Sequence, residues 1–418
     1  MKKVVLLLMS CVSFGVAGAQ WVASYPSIQE SVDGLDALFL FNGILAETEI
    51  TYTGVGSEFE WCTFDGEFQS NQATLSPEDG VGYVLKVDGA ETARIWVIDY
   101  AKYPASISAV DVVEADDRCD YIKVVPVFSA PELTYKDKNG AVHVLPRTFT
   151  FAYDAVTFSG DAWSQPTPQY FKKSTPFTEV VFDAPLCDTQ FTLTGDDWAE
   201  RFGVEVQRAS SELYHAIAVE AHLKGTIEER PAKNELDRSG ADVTGSGPLV
   251  VAFESRVNPL SINYYEWFIF PVNDPANYMR YNDKDLRYTF TESGSYRVRL
   301  VATSDVCEYV DSLNVKVLES SLDVPNVFTP NGDGVNDEFR VAFKSLATYS
   351  CQIFNRWGRL VYKSTDPGKG WDGTINGKPA APGAYYYVIQ ATGTDVDDEG
   401  KPVKYKLSGD INLLRGKK

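Results

Sequence analysis

The last hundred residues constrain the fold of this chain more than any other stretch. They open on Val324-Pro325-Asn326-Val327-Phe328-Thr329-Pro330 and pass into Asn331-Gly332-Asp333-Gly334-Val335-Asn336-Asp337. Turn-rich motifs follow: Asn355-Arg356-Trp357-Gly358, Gly370-Trp371-Asp372-Gly373, Asn376-Gly377-Lys378 and Pro382-Gly383-Ala384-Tyr385, then the closing run Gly409-Asp410-Ile411-Asn412-Leu413-Leu414-Arg415. Gly, Asn and Asp tolerate the backbone of tight reversals and Pro pre-sets it, while period-two alternation between the turns puts one face of each strand on a core. Such a stretch predicts one compact antiparallel β unit.

This ordered series of motifs resembles the gliding motility-associated C-terminal domain, the type B sorting domain of proteins exported by the type IX secretion system of Bacteroidota, over roughly 322–415. The resemblance implies an address. It makes a type IX translocon or another outer-membrane barrel the expected partner of residues 322–415, and it leaves the role of the preceding three quarters of the chain open.

The amino terminus agrees with export. Lys2 and Lys3 precede an apolar run, and Ala17-Gly18-Ala19 has the small-x-small form of a signal-peptidase site, so residues 1–19 read as a leader. Cys11 offers the alternative of a lipoprotein acylation site, with little apolar core before it. No later stretch reaches the roughly 20 apolar residues of a membrane-spanning helix.

With 44% hydrophobic and 13% aromatic residues, 418 residues can fill several folded cores. The formal charge is −20, and −22 without Lys2 and Lys3. A field of that sign disfavours nucleic acid and anionic membrane surfaces and favours cations. Loss of the leader leaves Cys62, Cys119, Cys187, Cys307 and Cys351, an odd set with no C-x-x-C pair. Export permits bridges, at least one thiol stays unpaired or joins another molecule, and the sequence does not choose among the pairings.

Short strands at regular spacing predict an all-β chain of tandem immunoglobulin-like and PKD-like sandwiches ahead of the sorting domain. The expected units are 20–106, 107–183, 184–240, 241–318 and 319–418. In the first, Glu60-Trp61 and Tyr83-Val84-Leu85-Lys86-Val87 mark strands; in the second, Asp137-Lys138-Asn139-Gly140 marks a hairpin turn. The third contains the one helical signal, with Asp196 as cap, Trp198 and Phe202 on one face and Gly203 as stop, placed at the end of a sandwich. Residues 228–248, rich in charge, Gly and Ser, read as a linker or long exposed loop. The unit 241–318 resembles a PKD domain through Glu266-Trp267 and Gly294-Ser295-Tyr296, but Phe268-Ile269-Phe270-Pro271 stands where that family has an acidic glycine turn, which puts any function of that turn in doubt. Trp61 and Trp267 are the expected core anchors.

Catalytic signals are weak. His143, His215 and His222 are the only histidines, and reading 214–223 as a strand puts His215 and His222 on opposite faces. The sequence has no nucleophile elbow, H-E-x-x-H or glycine-rich phosphate loop. The acidic pairs Asp116-Asp117 and Asp196-Asp197 read as solvated faces rather than a glycosidase couple. One cation site is expected: Asn331, Asp333, Asn336 and Asp337 recur around glycines as calcium ligands would, the alternative being that they cap their own turns. Tyr264 and Tyr278 are named for a recognition surface toward a protein or glycan ligand.

The expected function is that of a non-catalytic secreted or cell-surface protein whose sandwiches serve binding, adhesion or as a stalk. The alternative is a structural or adaptor component of the type IX secretion or envelope machinery.

Overall fold

The computed structural model describes residues 21–114, 118–238, 242–259, 262 and 264–415. The expected leader, Cys11, Asp116 and Asp117 lie outside the described residues. The regular structure of the described residues is nearly all β: three immunoglobulin-like sandwiches in succession, then the C-terminal β module, each around its own core.

The first sandwich faces a three-stranded sheet (Trp21–Ala23, Ile50–Tyr52, Thr74–Leu75) with a six-stranded one. In the larger sheet Ala37–Phe41 pairs in parallel with Ala90–Asp99. All five residues of Ala37–Phe41 are buried. Ala37, Phe39 and Phe41 meet Trp61 and Tyr83 inside the sandwich, while Leu38 and Leu40 face a second cluster with Trp96, Ile98 and Tyr100. That second cluster is closed by the hairpin Leu133–Lys136/Val142–Leu145 and by the helix Asp197–Phe202, through Leu133, Tyr135, Trp198 and Phe202. The helix therefore lies between the first two sandwiches, where the sequence had placed it at the end of one.

The second sandwich pairs the sheet Ser106–Glu114, Tyr121–Ser129, Val180–Asp183 with the sheet Thr167–Ser174, Thr148–Ala155, Thr192–Gly195, Gln207–Ser210. Its core joins Ile122 and Phe151 to Phe182, Phe191 and Leu193. The expected boundary at 183 is corrected here: strands from both sides of it share one sheet and one core. Likewise the third sandwich begins before 241, because Lys224–Ile227 is one of its strands and Val219 and Ala221 belong to its core.

In the third sandwich Trp267 is fully buried, as Trp61 is in the first. Each such indole removes roughly 150–250 Å² from water, an upper-limit gain of about 4–6 kcal/mol at 25 cal/mol per Å². The run Phe268-Ile269-Phe270-Pro271 simply continues the strand Tyr264–Pro271.

Two joints fix neighbours to each other. Between the first two sandwiches, Arg147 and Asp196 form an ion pair with both side chains almost fully buried. Asp196 also accepts from the Tyr100 hydroxyl at 2.7 Å and from the Ala199 N–H at 3.1 Å, and Arg147 donates to the Pro131 carbonyl at 2.9 Å. Asp196 is thus no solvated acid, contrary to the expectation; it is both the helix cap and the core of a joint. Between the second and third sandwiches, Cys119 and Cys307 form a disulfide. Trp163 donates its indole N–H to the Arg256 carbonyl at 3.0 Å, Phe158 stacks on His222 at 3.8 Å, and Asn258 donates to the Leu186 and Ala218 carbonyls at 2.8 and 3.1 Å.

The run 214–223, expected as a strand, threads this joint as irregular chain, and its strand-like pairing is confined to isolated bridges at Tyr214 and Ala221. His215 pairs with Asp188 and His222 with Glu220, so the two do not share a site. Cys62, Cys187 and Cys351 are buried free thiols, and burial pushes that of Cys351 up to about 11. Cys119 and Cys187, each followed by an aspartate in the sequence, thus have different fates.

Candidate functional site: the C-terminal module

The sheet of this module runs in the order Val327–Phe328, Pro402–Leu413, Gly383–Val396, Leu346–Phe354, Leu360–Ser364. Its spine is the hairpin of the two long strands Gly383–Val396 and Pro402–Leu413. The motif residues hold the rest. Trp371 is buried, donates its indole N–H to the Thr374 carbonyl at 2.8 Å and meets Tyr385 edge-on at 4.9 Å. Gly373 has φ +72°, and a Cβ there would come within 3.1 Å of Leu413 and Pro330, so glycine is needed on both counts. Arg415 donates to the carbonyls of Gly373, Pro330 and Ala380 at 3.0, 3.2 and 3.4 Å, tying the first loop to the Gly-Trp-Asp-Gly turn. That role escaped the sequence reading; the signal was an arginine ending the last apolar strand.

The expected cation loop is organised around an anion. The carboxylate of Asp337 accepts from the N–H groups of Asn331, Gly332 and Gly334 at 2.9, 2.7 and 2.7 Å. Asp333 accepts from the Val335 N–H at 2.8 Å and from the Asn331 amide at 2.8 Å, and the Asn331 oxygen accepts from the Asp333 N–H at 3.0 Å. Asn336 contributes its carbonyl, bonded to the Thr329 N–H at 2.8 Å. The N–H groups of Gly332 and Gly334 hold the Asp337 carboxyl below its ordinary value. The four residues are brought together, with the oxygens of Asn331, Asp333 and Asp337 occupied by their own loop. Among the described residues no group of three or more His, Cys, Asp or Glu forms a metal site.

One aromatic residue of the motifs faces outward. Trp357 is 74% exposed, with the Arg356 guanidinium 4.2 Å from its ring centroid, on a turn capped by Asn355, which accepts from the Trp357 and Arg359 N–H groups at 3.1 and 3.0 Å. Leu360, Tyr386 and Val388 are exposed nearby, since Phe354 pairs with both Leu360 and Tyr386. Tyr264 and Tyr278 are exposed on the third sandwich.

The module is seated on the third sandwich by the segment expected as a linker. Asn234 donates its side-chain N–H groups to the Val341 and Pro367 carbonyls at 2.6 and 2.8 Å, and Leu236 and Phe343 pair through their backbones. The described residues of this segment, 228–238 and 242–248, form a docked strap, because Glu235 and Ser246 within it are buried polar groups that need partners.

Residues 322–402 match the family model of the CHU_C type IX secretion signal domain. The C-terminal module thus carries the signal for export by that route. Residues 111–211 match the fibronectin type III domain, a stretch that runs across residue 183 and coincides with the second sandwich. No curated protein matches the chain. Among solved structures, the three N-terminal domains of the bacteriophage RB49 highly immunogenic outer capsid protein match at 13% identity over 75% of this chain and 100% of that one, with a TM-score of 0.21. Sidekick-1 immunoglobulin domains 1–5 match at 11% identity over 88% of this chain and 76% of that one, with a TM-score of 0.24. No helix among the described residues is long and apolar enough to cross a membrane.

Proposed function

We propose that this chain is a non-catalytic secreted or cell-surface protein, exported through the type IX route and presenting three sandwiches as a binding, adhesive or stalk element. The match of 322–402 to a type IX secretion signal carries the reading. The locked joints support a stiff spacer, because buried polar contacts and a disulfide oppose hinging where neighbours meet. Deleting 322–418 should strand the remainder in the periplasm while other exported proteins leave normally. Arrival of the truncated chain outside the cell would overturn the export reading, and a general export defect would favour the machinery role instead.

The partner on the export side is a translocon or outer-membrane barrel component, and the face proposed for it is the exposed patch of Trp357, Leu360 and Tyr386. Exposed Trp beside Arg is the chemistry of interface anchors. Trp357→Ala should leave the fold intact and reduce export, measured by fractionation. Calcium at Asn331, Asp333, Asn336 and Asp337 is a further proposal. Titration calorimetry that shows binding heat, lost in Asp333→Asn, would support it; a flat trace would leave the loop supported by its own hydrogen bonds.

A further inference from the structure

We propose that the C-terminal module is held on the third sandwich by a non-covalent clasp strong enough to keep the two together if the chain between them is cut. The peptide connection itself is slight. Only Glu319 and Ser320 separate the strand Glu308–Leu318 from the strand Ser321–Asp323.

The clasp is a built interface with two halves. In the first, residues 232–237 of the strap lie along Ala342–Lys344 and extend its sheet: the Leu236 N–H donates to the Phe343 carbonyl at 2.7 Å, the Phe343 N–H to the Asn234 carbonyl at 3.2 Å, and Glu235 forms a parallel bridge with Phe343. Asn234 adds its two side-chain bonds, Ala232 packs on the module's core, and Lys344 lies 3.6 Å from Asp237. A strand edge that would otherwise be open is covered by the preceding sandwich's own chain.

The second half is a buried polar exchange. The Ser345 N–H donates to Ser246 Oγ at 2.7 Å, Ser246 Oγ–H donates to the Glu235 carboxylate at 2.6 Å, and the Gly247 N–H donates to Ser345 Oγ at 2.9 Å. Ser246 and Ser345 are both fully buried, and the Glu235 side chain is closed off with Arg230 as its counter-charge. The Ser293 N–H completes the contact on the Thr394 carbonyl at 3.0 Å. Pulling the parts apart would break the bonds of Ser345, Gly247, Asn234 and Ser293 across the contact at once and uncover the apolar packing of Ala232, and that joint loss makes the contact hold.

The inference concerns how the module is attached and does not depend on what reads the signal. A test inserts a protease recognition sequence between Glu319 and Ser320 of the full chain, cuts it, and follows both fragments by gel filtration. Co-elution of the cut parent, with the module released from the cut Asn234→Ala/Ser246→Ala variant at an apparent affinity weaker by about tenfold or more, supports the proposal. Separation of the parent fragments, or equal retention by the variant, overturns it. Should the insertion disturb folding, hydrogen exchange on the uncut, unmodified chain decides. Amides of Leu236, Phe343, Ser345 and Gly247 protected to within about tenfold of those in Gly383–Val396 support the clasp, and exchange at unprotected rates refutes it.

Discussion

Single residues carry two kinds of structural weight in this chain, and they differ in size. Asp196 neutralises a buried Arg147 and receives the Tyr100 hydroxyl, so Asp196→Ala leaves an unpaired cation inside the joint. Urea unfolding should show a loss of about 3–5 kcal/mol. Asp337 is a half-buried carboxylate held by backbone N–H groups, and its depressed folded value sets the sign of its pH dependence. Its support of the loop is fully present above the ordinary aspartate value of 3.8 and is lost as pH falls through the lower folded value. The protection of the Gly332 and Gly334 amides, taken relative to the intrinsic exchange rate at each pH, should therefore fall on acidification below that point, and Asp337→Asn should abolish the pH step. The turn-forming role of this loop was visible in its residues. The burial of Asp196 was not, because its partners lie 49 and 96 positions away and nothing local distinguishes it from a surface acid.

At the scale of elements, local signals were read well and non-local pairing was not. The helix is capped by Asp196 and stopped at Gly203, which stands at φ +67° with its N–H on the Ala199 and Glu200 carbonyls. Gly203→Ala should cost about 1–2 kcal/mol for the left-handed backbone, measurably less than Asp196→Ala in the same urea experiment. The hairpin over 137–140 and the strands around Trp61 and Trp267 follow from turn chemistry and alternation. The boundary at 183 failed because Thr192–Gly195 finds its sheet partner in Thr148–Ala155, across four intervening strands that give no sign of it. The run 214–223 failed for another reason: chain threaded between two sandwiches is buried by turns on either side and mimics strand periodicity without a ladder. The strap has the composition of a loop, and only the fold shows Glu235 opposite Ser246.

For the whole molecule, the joints decide how the sandwiches move together. The Cys119–Cys307 bond closes 188 residues and fastens the second sandwich to the third. Replacing both cysteines by serine should lower stability by about 2–5 kcal/mol, read as a shift in the denaturant midpoint relative to the oxidised parent, with reduction of the parent giving the same shift. Solution scattering of that variant should give the same profile as the parent if the contacts of Trp163, Asn258 and Phe158 suffice to hold the joint.

That same bond limits how the protein can travel. A chain closed on itself over so long a span can no longer pass an opening end first, as a thread does. Once oxidised, whatever gate admits it must be wide enough for at least two lengths of chain side by side, so any passage of this molecule after oxidation is the passage of a loop.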